Sequence, residues 1–285
     1  MAQSPARPAA PDLTLAYGTD SPSQRVDLYL PAGDGPWPVV VSIHGGAFMM
    51  GDRTKDLHAL PALLGRGYAV ASVGYRLSGE TIFPAGVRDV KQATAHLRAR
   101  AAELRLDPSF FAAWGRSAGG HLSAMLGVST GQATEFGRPD EDSSVQAVVD
   151  WYGPSDFLQM DAQFTARPPA DGSDPMNHDG PESPESKWLG RPIQEIPGVA
   201  ARANPVTYIA DAGPLPPFFL AAGTSDRLVP HQQTLLLADA LRAHGTPVIL
   251  HVLDNAPHGG PRFEDGLTQP AIDWLDQIRV APPRG

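Results

Sequence analysis

The segment Gly115-Arg116-Ser117-Ala118-Gly119 sets a serine between two glycines, a spacing suited to nucleophilic chemistry. An alcohol near neutral pH is a weak nucleophile. It needs a base within hydrogen-bond reach, and a backbone that lifts it clear so that a carbonyl carbon can approach. The glycine-flanked serine meets the second need by a sharp turn between a strand and a helix. Neither Gly115 nor Gly119 has a Cβ to collide with the neighbouring elements. The bare pattern is common by chance and gains its weight from context: the apolar run Phe110–Trp114 before it and small residues to about Val128 after it. A helix starting beneath Ser117 also favours developing negative charge there.

The base and its orienting acid follow from position. His258 sits in the loop Asn255-Ala256-Pro257-His258-Gly259-Gly260, just past the last strand-like run, whereas His96 and His244 fall on helix surfaces and His251 inside a strand. His121 lies four residues along the helix from Ser117 and should point away from its hydroxyl. Asp226 follows the run Phe218–Ala222 in the turn Gly223-Thr224-Ser225-Asp226, at the C-terminal end of a strand, where α/β sheets assemble their sites. Asp254 is the competing acid, but four residues before His258 on the strand leading to it, it is badly placed to face the imidazole. The order serine, aspartate, histidine is that of α/β-hydrolases.

Attack on a carbonyl also requires donors for the oxyanion, which are usually the largest single catalytic contribution. One is the N–H of Ala118, the residue after the nucleophile. The loop His44-Gly45-Gly46-Ala47, after a buried run and about seventy residues ahead of the serine, can supply others. His44 itself reads as a residue that braces this loop.

These loops must hang on a sheet. Val39–Ile43 is a continuous apolar run expected of a strand buried on both faces, and Arg25–Leu30, Tyr68–Tyr75, Phe110–Trp114, Val145–Trp151, Pro217–Ala222 and Val248–Leu253 read as further strands. Helical spacing is present over Leu57–Arg66, Gly86–Leu104, Gln232–His244 and Gln269–Ile278. The alternation predicts an α/β fold with a mostly parallel central sheet and helices on both faces. Residues 1–20 read as a loose N-terminal arm, and 21–285 as one domain. About sixty Pro-, Asp- and Ser-rich residues, 152–215, interrupt the alternation and are expected to form a lid or insertion over the strand ends, because structureless loops of that length are rare in compact domains.

The bulk properties narrow the chemistry. Thirty prolines in 285 residues are about twice the average usage and read as stiffened loops near the N-terminus, between 153 and 217, and at the C-terminal tail. The net charge of −9 with no basic run argues against a nucleic-acid partner. The lack of cysteine removes disulfides, thiolate chemistry and cysteine zinc sites. No H-E-x-x-H and no glycine-rich dinucleotide or phosphate loop is present, so neither a metal nor a cofactor is expected. No apolar run approaches the roughly 18 residues that span a bilayer, and the first residues lack the apolar core of a signal peptide. The expectation is a soluble, cytoplasmic chain acting on a small molecule; its oligomeric state is not readable.

The runs HGGAFMMGDR, VGYRLS, FPAGVRDVKQA and LDPSFFAAWGRSAGGHLSAMLG resemble the BD-FAE-like carboxylesterases, relatives of the hormone-sensitive-lipase esterases. So do VVDWYGPSDFLQMD, SPES, ANPVTYI, GTSDRLVP and APHGG, so that the likeness extends over roughly residues 20–280. It implies an α/β-hydrolase fold, no cofactor, and hydrolysis of small or aryl carboxylic esters, including feruloyl or acetyl esters. It puts the nucleophile on Ser117, the acid on Asp226, the base on His258 and the oxyanion donors on Gly46, Ala47 and Ala118. Ala47 and Arg116 depart from the third glycine and the aspartate usual in hormone-sensitive-lipase relatives. An amidase, arylformamidase or small peptidase using the same residues is an alternative, as is a non-catalytic ligand receptor. Phe48, Tyr152, Phe157 and Trp188 are candidate pocket-lining residues.

Overall fold

The computed structural model describes residues 10–129, 133–138 and 140–280. Residues 1–9 of the expected arm and the proline-containing tail beyond 280 lie outside these.

Eight strands form one sheet: β1 Leu13–Ala16, β2 Arg25–Tyr29, β3 Trp37–Ile43, β4 Ala69–Val73, β5 Leu106–Arg116, β6 Ala147–Trp151, β7 Phe218–Gly223 and β8 Val248–Leu253. Their order is β1-β2-β4-β3-β5-β6-β7-β8. The pairs β1/β2 and β2/β4 are antiparallel, and every pairing from β4 to β8 is parallel. The helices are α1 Leu60–Gly65, α2 Ala85–Ala99, α3 Ala101–Leu104, α4 Ala118–Val128, α5 Ala133–Phe136, α6 Met160–Ala166, α7 Pro184–Leu189, α8 Pro197–Ala203, α9 Gln232–Ala243 and α10 Pro261–Val280. None of the described helices is long and apolar enough to cross a membrane.

The side-chain period of two sorts each central strand between two cores. Val39, Val41 and Ile43 of β3 and Phe111 and Ala113 of β5 join one, with Val87, Val90 and Leu97 of α2, Leu122 and Met125 of α4, and Leu237 and Leu241 of α9. Val40, Ala112 and Trp114 join the other, with Leu60 and Leu63 of α1 and Phe263, Leu267, Ile272 and Leu275 of α10. Because both faces are covered, β3 needs apolar residues at consecutive positions, which is why its run does not alternate.

Three segments differ from expectation. Within the arm, Leu13–Ala16 pairs with β2, and Tyr17 is buried with its hydroxyl donating to the Gly74 carbonyl at 2.5 Å. Four residues carry too short a pattern to announce a strand. The C-terminal helix begins at Pro261 rather than at 269, with Gly266 and Pro270 both inside it. Residues 152–215 are assembled from short helical pieces: α6, α7, α8 and 3₁₀ turns at Phe157–Gln159, Ile193–Glu195 and Pro205–Tyr208. Several of the prolines that read as loop occupy the first turns of these pieces, among them Pro184, Pro197 and Pro205, where a missing N–H costs nothing. Ser183 caps α7 by accepting the Ser186 N–H, and Gly190 ends it at φ 87°.

Candidate active site

Parallel register decides which loops meet. Ile43 pairs with Gly115, Arg116 with Trp151, Trp151 with Ala221 and Gly223 with Leu253, so five adjacent strands end at one level. The loops after β3, β5, β6, β7 and β8 therefore gather at the carboxyl edge of the sheet.

Between β5 and α4, Ser117 has φ 54° and ψ −126°, a conformation costing a non-glycine residue about 1–3 kcal/mol. Neighbours over-determine it: the Ser117 N–H donates to the Trp151 carbonyl at 2.9 Å, and its carbonyl accepts the His121 N–H at 3.0 Å. The Ser117 side chain makes no capping bond to α4. The turn closes only because of its glycines. A Cβ on Gly115 would lie 2.0 Å from the Gly119 carbonyl oxygen, and one on Gly119 would lie 2.0 Å from that of Ile43.

The loop after β3 runs alongside. A Cβ on Gly45 would lie 3.4 Å from that of Ser117, which fixes how closely the two loops approach. Gly46 (φ 123°) is followed by Ala47 and Phe48, both with positive φ. The Gly46 carbonyl accepts from Met49 and Met50, whereas the N–H groups of Gly46 and Ala47 make no hydrogen bond among the described residues. The loop is pinned from both ends. Phe48 stacks on Trp188 of α7 at 4.2 Å, and His44, buried and stacked on Tyr75 at 4.3 Å, braces it as expected.

Arg116 supplies a further pin. Its guanidinium pairs with Asp56 and, at 2.6 Å, with Glu264 of α10, while Asp56 accepts the Gly45 N–H at 2.7 Å. Burial pushes the Asp56 carboxyl up, but the adjacent guanidinium and the Gly45 N–H outweigh this and hold it below its ordinary range. The sign follows from linkage: a depressed carboxylate pKa stabilises the fold above the ordinary carboxylate range and loses that contribution as pH falls through the lowered value.

At the ends of β7 and β8, His258 Nδ1 lies 2.5 Å from Asp226 Oδ2. Asp226 Oδ1 accepts the N–H groups of Leu228 and Val229 at 2.8 and 2.9 Å, so the carboxylate is held rigidly toward the imidazole. Tyr152, at φ 48° after Trp151, packs its ring 4.5 Å from that of His258. Asp254 contacts Arg262 through its backbone carbonyl. His121 is buried against Phe157, with Nδ1 2.8 Å from the Pro154 carbonyl.

Ala47, Phe48, Ser117 and Ala118 open on one cavity of ≈40 Å³, whose remaining walls are Pro154, Met176, His178, Pro184, Glu185, Leu228 and Val229. Leu228 and Val229, in the loop anchored by Asp226, thus share this cavity with the serine. Of the four aromatic residues expected to line a pocket, Phe48 does so; Phe157 and Trp188 are packed behind it, and Tyr152 lies under His258.

Residues 26–241 match the BD-FAE family. The chain belongs to this family. Its BD-FAE match is accompanied by likeness to the probable carboxylic ester hydrolase LipM of Mycobacterium tuberculosis, 32% identical over 96% of this chain and 59% of LipM. Esterase LipC of the same organism is 30% identical over 94% of the chain. The chain spans 58–61% of the length of these curated relatives and of esterase LipQ. Among solved structures, a truncated carbohydrate esterase from gut microbiota superimposes with a TM-score of 0.82 at 25% identity, covering 96% of this chain and all of that one. The fold is that of the α/β-hydrolase esterases.

Asp56 was not legible as a site residue: it is one acid among many in sequence, and only the Gly45 N–H and the Arg116 side chain single it out. Tyr152, expected to line a pocket, instead packs against His258.

Proposed function

We propose that this chain hydrolyses small carboxylic esters by transferring the acyl group to Ser117. The observation that carries the reading is the single cavity shared by Ser117, Ala47 and Ala118, flanked by the loop of an aspartate bonded to a histidine at 2.5 Å. The esterases among the relatives support it.

In the first step His258 takes the Ser117 proton as Oγ bonds to the ester carbonyl carbon. The carbonyl oxygen becomes an oxyanion held by the N–H groups of Gly46, Ala47 and Ala118. Collapse breaks the bond to the alcohol, which leaves with the proton from His258. Water then repeats the attack, His258 again moving the proton, and the acid is released. Asp226 fixes the imidazole tautomer and stabilises the imidazolium throughout.

The cavity size narrows the substrate. At ≈40 Å³ it holds a few heavy atoms, where one water needs roughly 10–15 Å³ by the same measure. In this reading a space of this size favours acetyl and propionyl groups over a feruloyl group. Among p-nitrophenyl esters, kcat/KM is expected to be highest for acetate or propionate, and methyl ferulate to be turned over about a hundredfold less efficiently than methyl acetate once corrected for intrinsic reactivity. Equal turnover of ferulate would contradict the small-acyl assignment, and no turnover of any ester would contradict the esterase reading.

Arg116 positions the oxyanion loop in this reading. Arg116→Gln removes the charge that joins Asp56 to Glu264, and a misplacement near 1 Å can cost about 10²-fold. We expect kcat to fall by about 10- to 100-fold with KM much less affected, and Arg116→Lys to recover part of the loss. Steady-state kinetics of the two variants checks this; a change confined to thermal stability would assign Arg116 to the scaffold alone.

A further inference from the structure

A second carboxylate–imidazole pair stands behind the loop that carries Asp226. Glu185 of the SPES run lies in the first turn of α7, behind the Ser183 cap, with Oε2 2.8 Å from His178 Nδ1. The His178 and Glu185 side chains are almost wholly buried, at 1% and 5% exposure. The segment holding His178 is tied to two neighbours. Asp161 of α6 accepts the backbone N–H groups of His178 and Asp179 at 2.8 and 3.0 Å, and the Met176 N–H donates to the Arg227 carbonyl at 2.8 Å. Phe164 of α6 stacks on the imidazole at 6.0 Å.

On its other side the imidazole meets the Leu228 carbonyl, which favours a proton on the buried Nε2. That carbonyl belongs to the same peptide group as the Val229 N–H, which donates to Asp226 Oδ1 at 2.9 Å. One peptide is therefore held between an imidazole and a carboxylate, and Asp226 Oδ2 continues the chain to His258 Nδ1 at 2.5 Å. Hydrogen bonds in series polarise one another, so a proton on His178 Nε2 strengthens the Val229 donor at Asp226. A neutral imidazole has one N–H and cannot serve both Glu185 and the Leu228 carbonyl; the imidazolium serves both. Burial works against the charged ring, but the hydrogen bond and charge of Glu185, with Asp161 and the Leu228 carbonyl, outweigh it and raise the pKa above the ordinary histidine value. These are the groups that face the ring from α7, α6 and the loop after β7.

We infer that His178 is a positioning residue: as an imidazolium it ties α7 to the Leu228–Val229 peptide and so holds Asp226 in its setting beside His258, and loss of its proton releases that tie. This rests on the assignment of Ser117, Asp226 and His258 as the reacting group and its relay.

The pH profile of kcat/KM on p-nitrophenyl acetate, followed from about pH 5 to about pH 9.5 at the isosbestic wavelength of p-nitrophenol, reports ionisations of the free enzyme. It should rise on the acid side as His258 loses its proton. On the alkaline side it is expected to fall by about three- to tenfold to a plateau, through kcat more than KM, because His178 touches no reacting atom. His178→Gln should lie near that plateau with no alkaline step. Glu185→Gln removes the main support of the imidazolium and should move the step to lower pH. A histidine pKa raised by folding stabilises the fold in full below the unfolded value of about 6.5, and that contribution is lost as pH rises through the raised value. The melting temperature of the native protein should therefore fall over the same interval as kcat/KM. A native profile that is flat on the alkaline side overturns the inference, even if the melting temperature falls there, and so does a step that stays in place in both variants. If His178→Gln does not fold, the native profile and Glu185→Gln decide. Hydrolysis without the step defeats only the role of His178, whereas no hydrolysis at any pH defeats the Ser117 assignment itself.

Discussion

Ser117→Ala is expected to lower kcat on p-nitrophenyl acetate by about 10⁵- to 10⁶-fold while the protein stays folded. The loss is large because the oxygen that bonds to the acyl carbon is removed, and the remaining rate comes only from binding and oxyanion donors. The fold should persist because alanine keeps the Cβ at the same strained φ of 54°, and the hydroxyl makes no capping bond to α4. The backbone ties to Trp151 and His121 are untouched. Initial rates and a thermal melt measured together check both halves. A variant that retains a tenth of the native rate would remove Ser117 from the chemistry.

Asp226→Asn is the second large effect, with kcat expected to fall by about 10⁴-fold. Its cause is the wiring of the carboxylate. Oδ1 accepts the N–H groups of Leu228 and Val229, and Oδ2 faces His258 Nδ1 at 2.5 Å. In the asparagine variant, the carbonyl oxygen must stay with the two backbone donors, which turns the amide nitrogen toward His258. Nδ1 then has to accept, so the proton sits on Nε2, the nitrogen that must receive the proton of Ser117. The substitution is nearly isosteric, so stability should change little beside the loss in rate. Steady-state kinetics of the folded variant tests this; a loss below about tenfold would show that Asp226 does not set the tautomer.

The sheet and the elements around Ser117 were legible because their signals are local. The doubly buried run at Val39–Ile43 marks a central strand, the apolar run before Ser117 gives its flanking glycines their context, and parallel register then brings the two loops together. Asp226 and His258 could be chosen by position after strands, and the fold sets His258 Nδ1 2.5 Å from Asp226 Oδ2. What escaped depends on contacts distant in sequence. The ion pairs of Arg116 join residues 60 and 148 positions away. The short helices of 152–215 were hidden because proline reads as loop unless its place in the first turn is known. Trp188 and Phe157 looked like lining but pack behind Phe48, since a large apolar side chain in sequence does not tell which wall of a cavity it faces.

The most direct test of the account is the mass of the protein after reaction with an aryl organophosphonate. One adduct per chain is predicted, on the tryptic peptide that begins at Ser117 after cleavage at Arg116, and none in Ser117→Ala. Labelling at a different residue, or an adduct that persists in Ser117→Ala, would contradict the assignment of Ser117 as nucleophile.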